Sequence, residues 1–274
     1  MTMQHAGPSV RVRSADGTAI AVFVSGVGRP LVAVHGTTSD HHTWRFALPF
    51  LEPHLAVHAI DRRGRGASGD RDPYSLQAEA ADVVAVVGAA AAAYGAPVDV
   101  IGHSYGGNVA FEAATDTANI RRLVLYEGWP PPNPADRSFA PEVLQELETL
   151  LARGQRDRML ELFFREQVKM TDEEIAEIEA APTWPARLNA AGTVPRELRA
   201  FADCAFDPAA AARITVPVLL LVGSESPAEI RADPEVVAAA LPDARMGVLD
   251  GQAHVAQLTA PEKFADAVRA FLSE

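Results

Sequence analysis

Residues 102–106 read Gly-His-Ser-Tyr-Gly, directly after the apolar run Val98-Asp99-Val100-Ile101 and directly before the Ala-rich stretch Gly107 to Ala114. A short strand, a G-x-S-x-G turn and a helix, in that order, make Ser104 a candidate nucleophile. Glycines at 102 and 106 suit a turn too tight for Cβ atoms, which lifts the Ser104 hydroxyl into an exposed, strained position at the head of the helix. The helix N-terminus then offers N–H groups and the positive end of its dipole to an oxyanion forming on a substrate carbonyl. A serine hydroxyl is a weak nucleophile without a base within hydrogen-bond reach. The chain has eight histidines from which that base could come.

The elements that would position these groups alternate along the chain. Val10 to Ser14 and Thr18 to Ser25 read as strands joined by a hairpin at Ala15-Asp16-Gly17. Strands follow at Leu31 to Val34 and Ala56 to Ile60, with a helical stretch near Trp44 to Leu51 between them. After the Gly- and Arg-rich loop Asp61 to Gly69, a long helix runs from about Ser75 to Tyr94, and beyond the serine turn lies a strand at Arg122 to Tyr126. Regularity breaks at Trp129-Pro130-Pro131-Pro132-Asn133-Pro134. The pattern is then helical to Arg213, with breaks at Gly154, Thr171-Asp172, Pro182 to Pro185 and Pro195. Strands resume at Val216 to Val222 and Arg245 to Leu249, each followed by a helix, near Pro234 to Leu241 and at Pro261 to Leu272. This predicts an α/β fold: a mostly parallel central sheet with an antiparallel N-terminal hairpin, helices on both faces, and an inserted helical cap. Residues 1–128 and 214–274 would form the core domain and 129–213 the cap.

Composition narrows the partners. A net charge of −12 argues against nucleic acid or an anionic membrane surface. The single cysteine, Cys204, permits no internal disulfide and reads as a small apolar residue. Met1 to Arg13 lacks the apolar core of a signal peptide, and the nearest membrane-span candidate, Val83 to Ala93, is too short, so a cytoplasmic location and no membrane partner are expected. Nothing decides between a monomer and a homodimer.

The chain resembles the α/β-hydrolase family over nearly its whole length. The resemblance rests on the N-terminal hairpin, His35-Gly36-Thr37, the Asp61-Arg62-Arg63-Gly64-Arg65-Gly66 loop, the serine turn, a helical insertion and His254 in Gly251-Gln252-Ala253-His254. It implies that Ser104 is the nucleophile and His254 the base, with the backbone N–H groups of Thr37 and Tyr105 as the oxyanion hole. It further implies that His103 points away and packs below the nucleophile, that His35 braces the oxyanion loop, and that the 62–65 arginines belong to a structural turn, solvated or ion-paired.

The acid partner of the histidine is less regular. Many relatives carry Asp in a Gly-x-x-Asp pattern after the strand that follows the cap. Here the segment reads Gly223-Ser224-Glu225-Ser226, and a neutral serine cannot stabilise an imidazolium. Glu127 ends the strand before the cap, where some relatives carry their acid, and the resemblance makes it the favoured substitute. Glu225 comes second, because a one-residue shift on an extended segment reverses side-chain direction, and Asp250 and Asp233 stand behind it.

No G-x-G-x-x-G sits at a first strand-to-helix turn, so no dinucleotide cofactor is expected; the adjacent pair His41-His42 is expected to diverge in direction, with no carboxylate cluster beside it, so no metal site is expected. Trp44, Trp129, Phe163, Phe164, Met170 and Trp184 are candidates for an apolar chamber that would suit a small uncharged substrate. The expected function is a cofactor-free serine hydrolase of a carboxylic ester, thioester or lactone. The alternatives are a perhydrolase, C–C hydrolase or lyase built on the same residues, or a ligand-binding protein with a weakened triad. A serine at the turn argues against epoxide and haloalkane hydrolysis, which in this family use a carboxylate nucleophile.

Overall fold

Alternating apolar runs become the eight strands of one sheet in the computed structural model, which describes residues 7–133 and 140–274. They are β1 (Val10–Arg13), β2 (Ala19–Ser25), β3 (Arg29–Val34), β4 (Leu55–Ile60), β5 (Val98–His103), β6 (Ile120–Tyr126), β7 (Val218–Gly223) and β8 (Ala244–Leu249). Their spatial order is β1-β2-β4-β3-β5-β6-β7-β8. β2 pairs antiparallel with both β1 and β4, and every other pairing is parallel. Strands β4, β5 and β7 are buried along their whole length, as strands covered on both faces must be.

Helices cover both faces. On one side α2 (Leu76–Tyr94), α3 (Tyr105–Ala114) and α10 (Ala228–Ala240) share a core with Val32, Val100, Leu123 and Leu220. On the other, α1 (Leu48–Leu51), the short α11 (Ala256–Thr259) and α12 (Pro261–Leu272) pack Leu51, Ala256, Phe264 and Val268 against Leu31, Ile101 and Val124. Between β6 and β7 lie α4 (Pro141–Ala152), α5 (Arg156–Phe163), α6 (Asp172–Ala180), α7 (Trp184–Ala190) and α8 (Val194–Ala202), then the short α9 (Pro208–Ala211). Leu147, Met159, Phe163, Ile175 and Leu198 give helices α4 to α8 a core of their own.

Local chemistry sets several boundaries. Ser75 caps α2 by accepting from the Ala78 N–H (3.0 Å), and Gly95 ends it in the left-handed conformation. Thr171 and Glu174 form a reciprocal capping box at the start of α6, with bonds of 3.2 and 2.8 Å. α10 begins after Pro227 rather than at Pro234, which lies inside the helix. The expectation that no stretch is long enough to span a bilayer needs correction. α2 has 19 residues and is apolar enough by composition, but it is a core helix with half of it buried, and its Glu79 and Asp82 are ion-paired.

Those ion pairs fasten the arginine-rich loop, whose side chains are buried rather than solvated. Asp61 accepts the Ala67 N–H (2.7 Å), and Arg63 forks onto Asp82 through Nε and Nη2 (2.7 Å each). Arg62 donates to both oxygens of Glu79 (2.6 and 2.8 Å) and to Glu197 of α8 (2.9 Å), while Arg65 pairs with the same two carboxylates. Burial alone would push the Glu79 carboxyl up, but Arg62 and Arg65 hold it down to about 2 from an ordinary 4.5. A depressed carboxyl stabilises the fold above its unfolded pKa, and that contribution is lost as pH falls toward the folded value. We expect Glu79→Ala, which leaves two buried guanidiniums with one carboxylate, to cost about 3–5 kcal/mol. Thermal and urea unfolding at neutral pH measure this, and a variant as stable as wild type would contradict the pairing.

Candidate active site

Five loops at the carboxyl ends of neighbouring parallel strands come together here, where open α/β sheets bind ligands. The turn after β5 places Ser104 at φ 55° and ψ −130°, a region that non-glycine residues enter at a cost of about 1–3 kcal/mol. The Ser104 N–H donates to Tyr126 O at the end of β6 (2.9 Å), and its carbonyl accepts the Gly107 N–H (2.8 Å). No side chain fits at 106, because a Cβ there would lie 2.3 Å from His35 O. The loop after β3 passes close by: a Cβ on Gly36 would lie 2.9 Å from the Ser104 Cβ. The N–H groups of Thr37 and Tyr105 border this spot, and neither meets an acceptor among the described residues.

His35 braces that loop as a neutral ring. Burial, then the charges of Arg62 and Arg65, push it down to about 3, so its Nδ1–H donates to Gly36 O (2.8 Å) and its Nε2 accepts the Arg62 N–H (3.1 Å). His103 is also buried and neutral, pushed down to about 3 by burial and then by its neighbour His254. Its Nε2–H donates to the His254 carbonyl (2.7 Å), which makes it a support for the loop after β8. Tyr126 adds two ties to the same loop, donating its hydroxyl to Ala253 O and accepting the Ala256 N–H (2.9 Å).

Glu127 follows β6, also at positive φ (45°), and its N–H donates to Leu221 O of β7 (3.0 Å). That kink turns the side chain toward the loop after β8, where His254 Nδ1 lies 2.7 Å from Oε2. Oε1 accepts the Gly223 N–H (2.8 Å) and the Ser226 hydroxyl (2.5 Å). Burial pushes the Glu127 carboxyl up, but these bonds and the charge on His254 outweigh it, so the group titrates below the ordinary carboxylate value. Ser226 therefore occupies the position expected of an acid and serves as a donor to the acid from the neighbouring strand. Glu225 is exposed and meets Ser224 (3.1 Å), Asp250 is exposed, and Asp233 accepts from Trp129 Nε1 (3.3 Å).

The aromatic candidates have packing roles. Trp44 is 1% exposed and stacked on Phe264, and Trp129 is fully buried in the core shared with α10. Phe163 and Phe164 belong to the core of α4 to α8, with Met170 and Trp184 packed against it. Phe164 leads back to the site, because the Arg187 guanidinium lies 5.8 Å over its ring and donates through Nη1 to Thr38 Oγ1 (2.8 Å). Sequence reading missed Arg187, Tyr126 and the donor role of Ser226, since no motif marks them. The pair His41-His42 does not diverge as expected: a 3-10 turn brings the rings to 3.9 Å, beside Asp40. Their Nδ1 atoms are hydrogen-bonded to Asp61 (2.7 Å) and Asp40 (2.9 Å). Cys204 is half-buried, with its thiol pushed up to about 11 by burial and then by Glu112, so it stays protonated.

Residues 31–267 match the alpha/beta hydrolase family, and the chain belongs to it. A solved alpha/beta hydrolase from Sphaerobacter thermophilus superposes with a TM-score of 0.84 at 34% identity, covering 96% of this chain and all of that one. The (E)-2-((N-methylformamido)methylene)succinate hydrolase of Acinetobacter baylyi is 26% identical over 91% of this chain and 92% of its own length. The N-formylmaleamate deformylase of Pseudomonas putida is 37% identical over 42% of each chain. With that deformylase, as with two further curated relatives, the match spans only about two fifths of the relative's length.

A 2.7 Å imidazole–carboxylate bond deshields its proton. In proton NMR of the wild type we expect the His254 Nδ1–H downfield of the amide envelope, lost in Glu127→Ala and kept in Glu225→Gln. A signal that survives Glu127→Ala would remove Glu127 as the histidine's partner.

Proposed function

We propose that this protein is a serine hydrolase that cleaves a carboxylic ester, thioester or lactone through an acyl-enzyme on Ser104. The observation that carries the reading is the Glu127–His254 bond (2.7 Å), made at the same sheet edge as the strained serine turn. With Nδ1–H held by Glu127, the Nε2 of His254 is free to take a proton. The Ser104 Oγ attacks the acyl carbon as its proton passes to that Nε2. The tetrahedral oxygen then accepts from the Thr37 and Tyr105 N–H groups, each donor worth roughly 3 kcal/mol. Collapse expels the alcohol or thiol, which takes the proton from His254, and water repeats the sequence to release the acid. The glutamate stabilises the imidazolium in both halves. Relatives named as a deacetylase and a deformylase support acyl transfer to water. A competent imidazole–carboxylate pair also weighs against a binding protein with a weakened triad.

An organophosphonate should label one serine per chain, Ser104, and Ser104→Ala should neither label nor turn over an activated ester. Glu127→Gln should lower kcat/KM by roughly 10⁴-fold through misorientation of the imidazole, while the exposed Glu225→Gln stays near wild type. Wild-type turnover by Ser104→Ala would refute the mechanism.

A further inference from the structure

The fully buried arginines of the loop after β4 are matched by carboxylates: Arg62 and Arg65 by Glu79 and Glu197, and Arg63 by Asp82. The half-buried Arg187 is not. It projects from α7 to the loop after β3 and spends Nη1 on Thr38, whose hydroxyl accepts at 2.8 Å and carbonyl at 3.5 Å. Its Nε is buried without an acceptor, its Nη2 meets none among the described residues, and no carboxylate there lies within ion-pair distance. The charge of Asp40 reaches it, but Asp40 Oδ1 is committed to the N–H and Nδ1 of His42 (2.9 Å each), and Arg45 opposes it with like charge. Burial pushes Arg187 down only to about 10, so it remains a cation at neutral pH. A desolvated cation without a counter-ion is costly.

The unused part of the guanidinium has a defined shape. With Nη1 engaged, the Nε–H and Nη2–H form a parallel fork that matches the two oxygens of a carboxylate. The Nη1 bond to Thr38 sets the guanidinium against the loop after β3, the loop in which a Cβ on Gly36 would lie 2.9 Å from the Ser104 Cβ. We propose that Arg187 binds a carboxylate of the substrate, so that the molecule cleaved at Ser104 is a short acyl compound bearing a free acid group. This rests on the serine-hydrolase reading and replaces the uncharged substrate expected from the aromatic residues. A protein of net charge −12 repels anions at long range, so an anionic substrate needs such a local cation.

Two matched pairs of esters locate the acid group. Mono-4-nitrophenyl glutarate against 4-nitrophenyl valerate tests the acyl side, and 4-carboxyphenyl butyrate against phenyl butyrate tests the leaving group. Wild type should favour the charged member of one pair by about 10- to 100-fold in kcat/KM, mainly through KM. Arg187→Met should bring that ratio near unity, and Arg187→Lys should keep part of it. Free glutarate should inhibit wild type competitively and the Met variant far more weakly. A wild type that favours the neutral ester in both pairs, or a folded Met variant with the wild-type ratio, overturns the proposal. If Arg187→Met does not fold, the wild-type ratios and glutarate inhibition decide alone. Phosphonate labelling of wild-type Ser104 separates the two readings. Without labelling the hydrolase reading falls, and calorimetric binding of glutarate still tests Arg187.

Discussion

A carboxylate taken out of water must be met by donors on both oxygens, and the active-site edge of this protein is arranged around that requirement at Glu127. One oxygen receives His254 Nδ1, and the other receives a backbone N–H from the end of β7 and the Ser226 hydroxyl. The donors come from the end of β7 and from the loops after β7 and β8, so the glutamate positions a histidine and ties neighbouring strand ends together. The left-handed backbone at 127 is the cost of aiming the side chain across the sheet edge. With a serine at 226, the arrangement keeps one negative charge beside His254. An aspartate there would have set a second carboxylate against Glu127.

A second buried constraint joins the insertion to the core. Arg62 and Arg65 hold Glu79 of α2 and Glu197 of α8, and Tyr74 links Glu79 (2.8 Å) to the Tyr105 hydroxyl (2.9 Å) at the first residue of the serine helix. The Arg62 backbone N–H also fixes the tautomer of His35, which in turn holds Gly36. The Arg-rich loop therefore fastens the loop after β3, the helix that follows Ser104 and a helix between β6 and β7 to one another. Arg187 crosses the same boundary from α7 and ends on Thr38 of the loop after β3, with no carboxylate partner among the described residues.

The sequence determined the elements and their order, because these depend on local physics. Period-two apolar runs, the Ser75 and Thr171 caps, and breaks at Gly154 and Pro182 to Pro185 act over a few residues and are legible without tertiary contacts. The G-x-S-x-G turn is legible for the same reason, since its glycines answer a clash between adjacent elements. Glu127 is favoured over Glu225 through the family resemblance, in which some members carry the acid at that strand end, while side-chain alternation counts against Glu225.

Tertiary structure decided what each side chain faces. Hydrophobicity could not separate a chamber wall from a core, and Trp44 and Trp129 went to the core because large rings bury most area there. The adjacent histidines converge because a 3-10 turn, not a strand or an α-helix, carries them. The charge state of the arginines was equally hidden. Residues 62, 79 and 197 are far apart in sequence, and only the folded chain shows three of these cations closed by carboxylates and Arg187 left open. Pairing of buried charge is a long-range property of the fold, which no local pattern in the chain encodes.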